Sequence, residues 1–192
     1  MELVQTAQEL RAYLLAQPEV TSCVLTGSVA ERRHDRYSDI DMEIDVSGHD
    51  NSRYALTLPA VMARYRPVIY SDYAPSLMPD SYVVSLALSA ENPFLLLDIK
   101  CTATPHCPTL QRGDFPYDVF AHTLKLLVLN TKHFLRGADC LSDIRRMYTR
   151  LYVQGAELPA DEMLRRVYRW LTAQERADCR AYLQSLQKYM IF

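Results

Sequence analysis

The chain has no surplus of basic residues: 21 Lys and Arg stand against 23 Asp and Glu, a formal charge of −2. A protein that grips a long DNA or RNA backbone carries a cationic excess, so no long nucleic-acid partner is expected and a processive polymerase is disfavoured. No apolar run reaches the roughly 18 residues of a membrane span, so no membrane association is expected. Met1-Glu2-Leu3-Val4 lacks the basic stretch and apolar core of a secretory leader, and a cytoplasmic location is expected. Cysteine is sparse and unpatterned. Cys23, Cys101, Cys107, Cys140 and Cys179 are odd in number, dispersed and without Cys-x-x-Cys, as suits reduced cytosolic thiols. Cys101, His106 and Cys107 lie close in sequence but fall short of the four ligands of a structural zinc site. Internal repeats and low-complexity segments are also missing. With 49% hydrophobic and 23% charged residues, the 192-residue chain can build one large core or two small ones.

The acidic residues that are present are not scattered. From Asp39 to Val46 the chain reads Asp-Ile-Asp-Met-Glu-Ile-Asp-Val, a strict period of two. In a strand, Ile40, Met42, Ile44 and Val46 share one face and Asp39, Asp41, Glu43 and Asp45 the other. Same-face neighbours lie about 6–7 Å apart, close enough for Asp39 and Asp41 to share a cation, whereas Glu43 is roughly 13 Å from Asp39 and falls outside that shell. Aspartate is unfavourable in strands and like charges repel, so a hard cation such as Mg²⁺ is the expected compensation. A plain amphipathic strand with a wet acidic face is the alternative.

The residues before this strand favour the metal. Ser22 to Leu25 reads as a short apolar strand, Gly27-Ser28 ends it, and Val29 to Arg33 can begin a helix. Glycine allows close backbone approach to a ligand, unpaired N–H groups at a helix start attract anions, and Ser28 adds a hydroxyl. A phosphate-sized bend followed by paired carboxylates suits chemistry on a nucleoside triphosphate with a divalent metal.

Gly27-Ser28, ten residues, then Asp39-Ile40-Asp41 resembles the signature of the DNA polymerase beta-type nucleotidyltransferase superfamily. Ser38-Asp39-Ile40-Asp41 is the form common in its small bacterial branch, which includes aminoglycoside and lincosamide nucleotidyltransferases and minimal nucleotidyltransferases. The chain departs in one place, with Glu31-Arg32 where many relatives carry Arg-Gly, and no contact is placed on Glu31. The resemblance implies a mixed β-sheet with flanking helices, an α+β fold, followed by an α-helical bundle domain. It also asks for a third carboxylate on a later strand. Phe94 to Lys100 reads as a strand buried on both faces with Asp98 near its end, and Asp98 matches by resemblance, as metal ligand, general base or both. Lys100, two residues on, could reach a phosphate.

The implied reaction is attack of an acceptor hydroxyl on the α-phosphorus of ATP or another NTP, with pyrophosphate leaving. Asp39, Asp41 and Asp98 would hold one or two Mg²⁺ ions, and Gly27 and Ser28 would clasp the β/γ end. ATP is chosen by resemblance alone. Tyr37 and Tyr70 could stack on a base or an acceptor ring. The acceptor is expected to be a small molecule such as an antibiotic, in an acidic pocket to which Glu43, Asp45, Asp72, Asp80 and Glu91 could contribute. A protein acceptor, as for antitoxin-type minimal relatives, and a non-catalytic nucleotide-binding regulator stay open, as does a monomer or a homodimer.

Two domains are expected, a catalytic one over 1–112 and a helical one over 113–192. Thr6-x-x-Glu9 fits a capping box for an opening helix through Leu15. Residues 52–64 read as a helix that Pro59 would kink or break. Strands are expected over 68–70, 82–88 and 94–99, with a loop from Tyr73 to Asp80. Pro105, Pro108 and Gly113 mark a linker, and helices follow over about 116–136, 139–153, 160–171 and 173–189, the last opened by a Thr172-x-x-Glu175 box. In the first of these, His122, Lys125, Lys132 and Arg136 form a stripe that either receives the triphosphate or is a solvated face.

Overall fold

Alternation builds the centre of the sheet. In β2 (Ile40–Asp45) the residues Ile40, Met42 and Ile44 are buried, while Asp41, Glu43 and Asp45 are half-buried on the opposite face. The computed structural model describes residues 2–78, 81–106, 108–153 and 157–191. It divides into two units: Met1–Leu88 with Leu95–Tyr117, and Ser89–Phe94 with Asp118–Phe192. Among the described residues there are five strands and seven α-helices, a mixed α+β architecture. No described helix is long and apolar enough to cross a membrane.

The first unit carries α1 (Glu2–Leu15), β1 (Ser22–Thr26), α2 (Gly27–Ala30), β2, α3 (Asn51–Ala63), β3 (Tyr70–Met78), β4 (Ser81–Ala87) and β5 (Leu96–Thr102). The sheet order is β1-β2-β5-β4-β3, with β2 and β5 parallel and the other neighbours antiparallel. Helices α1 and α3 pack on one face, where Leu10, Leu14, Leu58 and Met62 meet Ile40, Met42, Ile44, Leu97 and Ile99 in one core. Each such fully buried side chain contributes about 1.5–3 kcal/mol. The other face is where the polar residues of β2 and β5 emerge.

Several elements differ from the sequence expectation. β5 starts at Leu96 and reaches Thr102, and it is not buried on both faces: Asp98, Lys100 and Thr102 are half-buried and alternate with buried Leu97, Ile99 and Cys101. Asp98 is therefore inside the strand, not at its end. The expected loop from Tyr73 is strand as far as Met78, and Pro79 and Asp80 lie outside the described residues. β3 is an edge strand, and its ladder to β4 shifts register between Ala74 and Met78, the stretch that holds Pro75; edges and bulges are where a strand tolerates proline. α3 runs through Pro59 without ending. Thr6 sits a turn inside α1, whose buried Ala7, Leu10 and Leu14 hold its face from Glu2 onward, so the capping box is not used.

The second unit contains α4 (Val119–Leu135), α5 (Leu141–Thr149), α6 (Ala160–Thr172) and α7 (Arg180–Gln187). Its core joins Leu124, Leu127 and Val128 to Ile144, Met147 and Tyr148, and to Leu164, Val167 and Leu171. Asp118 caps α4 by accepting from the N–H groups of Phe120 and Ala121, and its other oxygen takes the Arg176 guanidinium at 3.1 Å. Ser89–Phe94, the connection between β4 and β5, belongs here, with the Pro93 carbonyl accepting from the Tyr182 hydroxyl. The expected helix over 173–189 is replaced by a short 3₁₀ turn, Ala177–Cys179, and α7. Thr172 ends α6, its hydroxyl donating back to Arg169, and Glu175 has φ 51, so this second box is not formed either.

Candidate metal and phosphate site

Register brings two of the carboxylates together. In the parallel pair β2–β5, Asp41 stands directly opposite Asp98. Directly paired residues project from the same side of a sheet, with Cα atoms about 4.8 Å apart. Asp39 arrives from the loop before β2. That loop is a tight turn: Asp35 Oδ1 accepts from the N–H of Tyr37 at 2.9 Å and from the Ser38 hydroxyl at 3.1 Å, and the Ser38 N–H bonds the Asp35 carbonyl at 3.1 Å. Ser38 is buried in this turn, and the next residue is delivered to the start of β2. Oxygens of Asp39, Asp41 and Asp98, each half-buried, all lie within 4.8 Å of one another.

Gly27 makes room for this cluster. It has φ +63, and a Cβ added to it would lie 2.0 Å from Asp41 Oδ2. The missing side chain is filled by a carboxylate of the site itself, which composition and spacing did not suggest. Arg32, at the position where the resembled pattern carries glycine, also takes a left-handed φ of 57, so the bend is kept without the residue that suits it best. Glu31 forms an ion pair with Arg33. The helix after the bend is a single turn from Gly27 to Ala30, earlier and shorter than expected. So few aligned peptide dipoles sum to little charge, so the helix itself offers little attraction to an anion. The Ser28 hydroxyl is buried and has no hydrogen-bond partner.

The remaining expected residues fall in three groups. Lys100 is on the same sheet face as Asp98, and its ammonium lies 3.1 Å from Glu43 Oε2, so a phosphate there would compete with a carboxylate. Glu43 is thereby placed with Lys100 and outside the three-Asp cluster. Lys125 and Lys132 lie on α4 of the second unit and are buried, at 8% and 5% exposed; the solvated-face alternative for them is set aside. Buried lysines are rare without a charged or polar neighbour. Tyr37 and Tyr70 are buried, and Arg36 stacks over the Tyr37 ring at 4.6 Å and bonds its hydroxyl, so that ring is already covered.

Of the acids expected at an acceptor pocket, Asp72 is buried on β3, Asp45 binds the Ser47 hydroxyl at 2.6 Å, Glu91 sits in the second unit and Asp80 lies outside the described residues. Cys107 also lies outside them, while the Cys101 thiol donates to the Asn51 carbonyl and His106 bonds the Asn51 amide. Among the described residues the three aspartates are the one group of side chains with a metal-ligand arrangement.

The donor set fits a hard cation. Oxygens held by one such ion lie at most about 4–5 Å apart, a span the three carboxylates already meet. No family model matches the chain, and no curated protein matches it.

Proposed function

We propose that this protein is a Mg²⁺-dependent nucleotidyltransferase that moves a nucleoside monophosphate, AMP from ATP, to the hydroxyl of a small-molecule acceptor and releases pyrophosphate. The observation that supports this reading is the meeting of three carboxylates, from β2, β5 and the loop before β2, beside a glycine bend whose serine hydroxyl is buried and unpartnered. Three such charges repel by about 3–4 kcal/mol per pair at an effective dielectric near 20, a cost a divalent ion offsets. The resemblance of Gly27-Ser28 and Asp39-Ile40-Asp41 to the polymerase beta-type pattern supplies the reaction class.

In this reading Asp39, Asp41 and Asp98 hold the ion. When bound, Mg²⁺ neutralises the triphosphate and polarises the α-phosphoryl group. Ser28 donates its hydroxyl to the β/γ-phosphate end and Gly27 admits the backbone approach. Asp98 orients the acceptor hydroxyl and takes its proton as the new P–O bond forms and the bond to pyrophosphate breaks. Positioning and charge stabilisation carry the catalysis. Lys100 is the cation assigned to phosphate, after release from Glu43.

The test incubates the chain with ATP labelled at the α-phosphorus and Mg²⁺, against aminoglycosides, lincosamides and a protein extract, and reads label transfer and pyrophosphate. Label on a small molecule is the expected result. Label on protein moves the acceptor class, and nucleotide binding without transfer leaves a regulator. Asp41→Asn is expected to lower pyrophosphate release on the order of a thousandfold. Unchanged release by that variant ends the site assignment.

A further inference from the structure

Beyond the three aspartates, the same row of the sheet holds a fourth polar residue with an unmet need. Asp98 pairs with Asp41 on one side and with Ser85 of β4 on the other, and Ser85 pairs in turn with Asp72 of β3. All four therefore project from one face. Ser85 is 0% exposed, and its hydroxyl has no hydrogen-bond partner. A buried hydroxyl without a partner is rare in a folded protein, and an ion or a ligand that the site takes up is one of its ordinary explanations. Directly opposed residues in an antiparallel pair have Cβ atoms about 4.5–5.5 Å apart, within reach of a Ser O–H to a carboxylate.

We propose that Ser85 is a positioning residue for the ion: its hydroxyl donates to the Asp98 carboxylate once that carboxylate turns to a divalent cation. Carboxylates that ligate metals are themselves held by outer hydrogen bonds, and loss of such a partner weakens metal binding about 10- to 100-fold. Ser85 stands one strand outside the Asp41–Asp98 pair, where an outer partner belongs, and it brings no charge that would add to the repulsion. The inference rests on the metal reading above and adds to it a residue that the sequence motif does not contain.

The experiment measures Mn²⁺ binding to the full chain without nucleotide, from the electron paramagnetic resonance signal of the free ion. Wild type is expected to bind and Asp41→Asn to lose binding. Ser85→Ala, which removes the hydroxyl, and Ser85→Cys, which keeps a similar size with only a weak S–H donor, are expected to weaken Mn²⁺ on the order of tenfold or more. Ser81→Ala is the control for packing, because Ser81 is a buried serine of the same strand and face, opposite Thr102. Its affinity should stay within about twofold of wild type. Wild-type affinity in both Ser85 variants, the result if the O–H serves Asp72 instead, overturns the proposal and leaves the metal site standing. So does an equal loss in Ser85→Ala and Ser81→Ala. Absence of Mn²⁺ binding by wild type removes the metal reading and this proposal together.

Discussion

Gly27 shows how much of the site turns on one missing atom. Two independent constraints meet there: a left-handed φ of +63, and an Asp41 oxygen 2.0 Å from where a Cβ would stand. The Asp41 backbone is held in β2 between Thr26 and Asp98, so its side chain is the part that must move. Gly27→Ala is therefore expected to displace the Asp41 carboxylate, remove Mn²⁺ binding and cost about 1–3 kcal/mol in stability. Ser28→Ala next door should behave differently. Its hydroxyl bonds nothing in the protein, so stability should stay within about 0.5 kcal/mol while affinity for ATP falls. Urea unfolding and nucleotide titration on the two variants separate the roles. Equal stability loss in both would mean that the bend, and not the oxygen it cradles, is what glycine serves.

Elements were legible where a pattern repeats and obscure where pairing decides. The period of two from Ile40 to Val46 is written in the residues, and the strand follows it. The amphipathic stripes of α4 to α6 are equally plain, with Leu124, Ile144 and Leu164 in their core. What could not be read is strand order. That β4 lies beside β5 puts Ser85 against Asp98, and no local signal in Ser81–Ala87 announces it. Capping boxes misled twice because Thr6 and Thr172 sit within or at the end of helices whose extent is set by burial. The cap that does operate on α3 is Asp50, four residues beyond the acidic strand's last apolar residue, Val46, and so easily read as part of a wet acidic run. It accepts from the N–H groups of Ser52 and Arg53, and it ties down Thr109 as well. Burial pushes its carboxyl upward, but the bonds from Ser52, Thr109 and the backbone outweigh that and hold it at about 2. A depressed folded-state value stabilises above the unfolded value of 3.8 and is lost as pH falls towards 2. Asp50→Ala is expected to cost about 1–2 kcal/mol at neutral pH. Urea midpoints of the two proteins should converge between about pH 4 and pH 2. A difference that persists unchanged below pH 2 would show that the cap's charge is irrelevant.

At the scale of the whole molecule, the two units each carry their own core and each conceal a thiol that reports on it. Cys101 belongs to the sheet, and burial, with the charges of Asp45 and Asp50, pushes its thiol up to about 12. Cys179 belongs to the helical unit, and burial and Asp178 push it up to about 11. Burial thus keeps both thiols protonated and covered near pH 8, so neither should react with a disulfide reagent until its unit opens. Leu58 and Leu164 are fully buried, one in each core, and truncation of either to alanine costs about 2–5 kcal/mol. If each unit's stability is its own, Leu58→Ala speeds labelling of Cys101 at least tenfold more than that of Cys179, and Leu164→Ala does the reverse, on the order of the opening free energy lost. Labelling sites and rates are read by peptide mass spectrometry, which keeps Cys23, Cys107 and Cys140 from confusing the count. Equal acceleration of both thiols in both variants would mean that the chain opens all at once, with neither core able to stand while the other is lost. The outcome matters for the site, because Asp39, Asp41, Asp98 and Ser85 all lie in the unit that Cys101 reports. A sheet unit that stays closed while the helical unit opens would keep its Mn²⁺ affinity in Leu164→Ala.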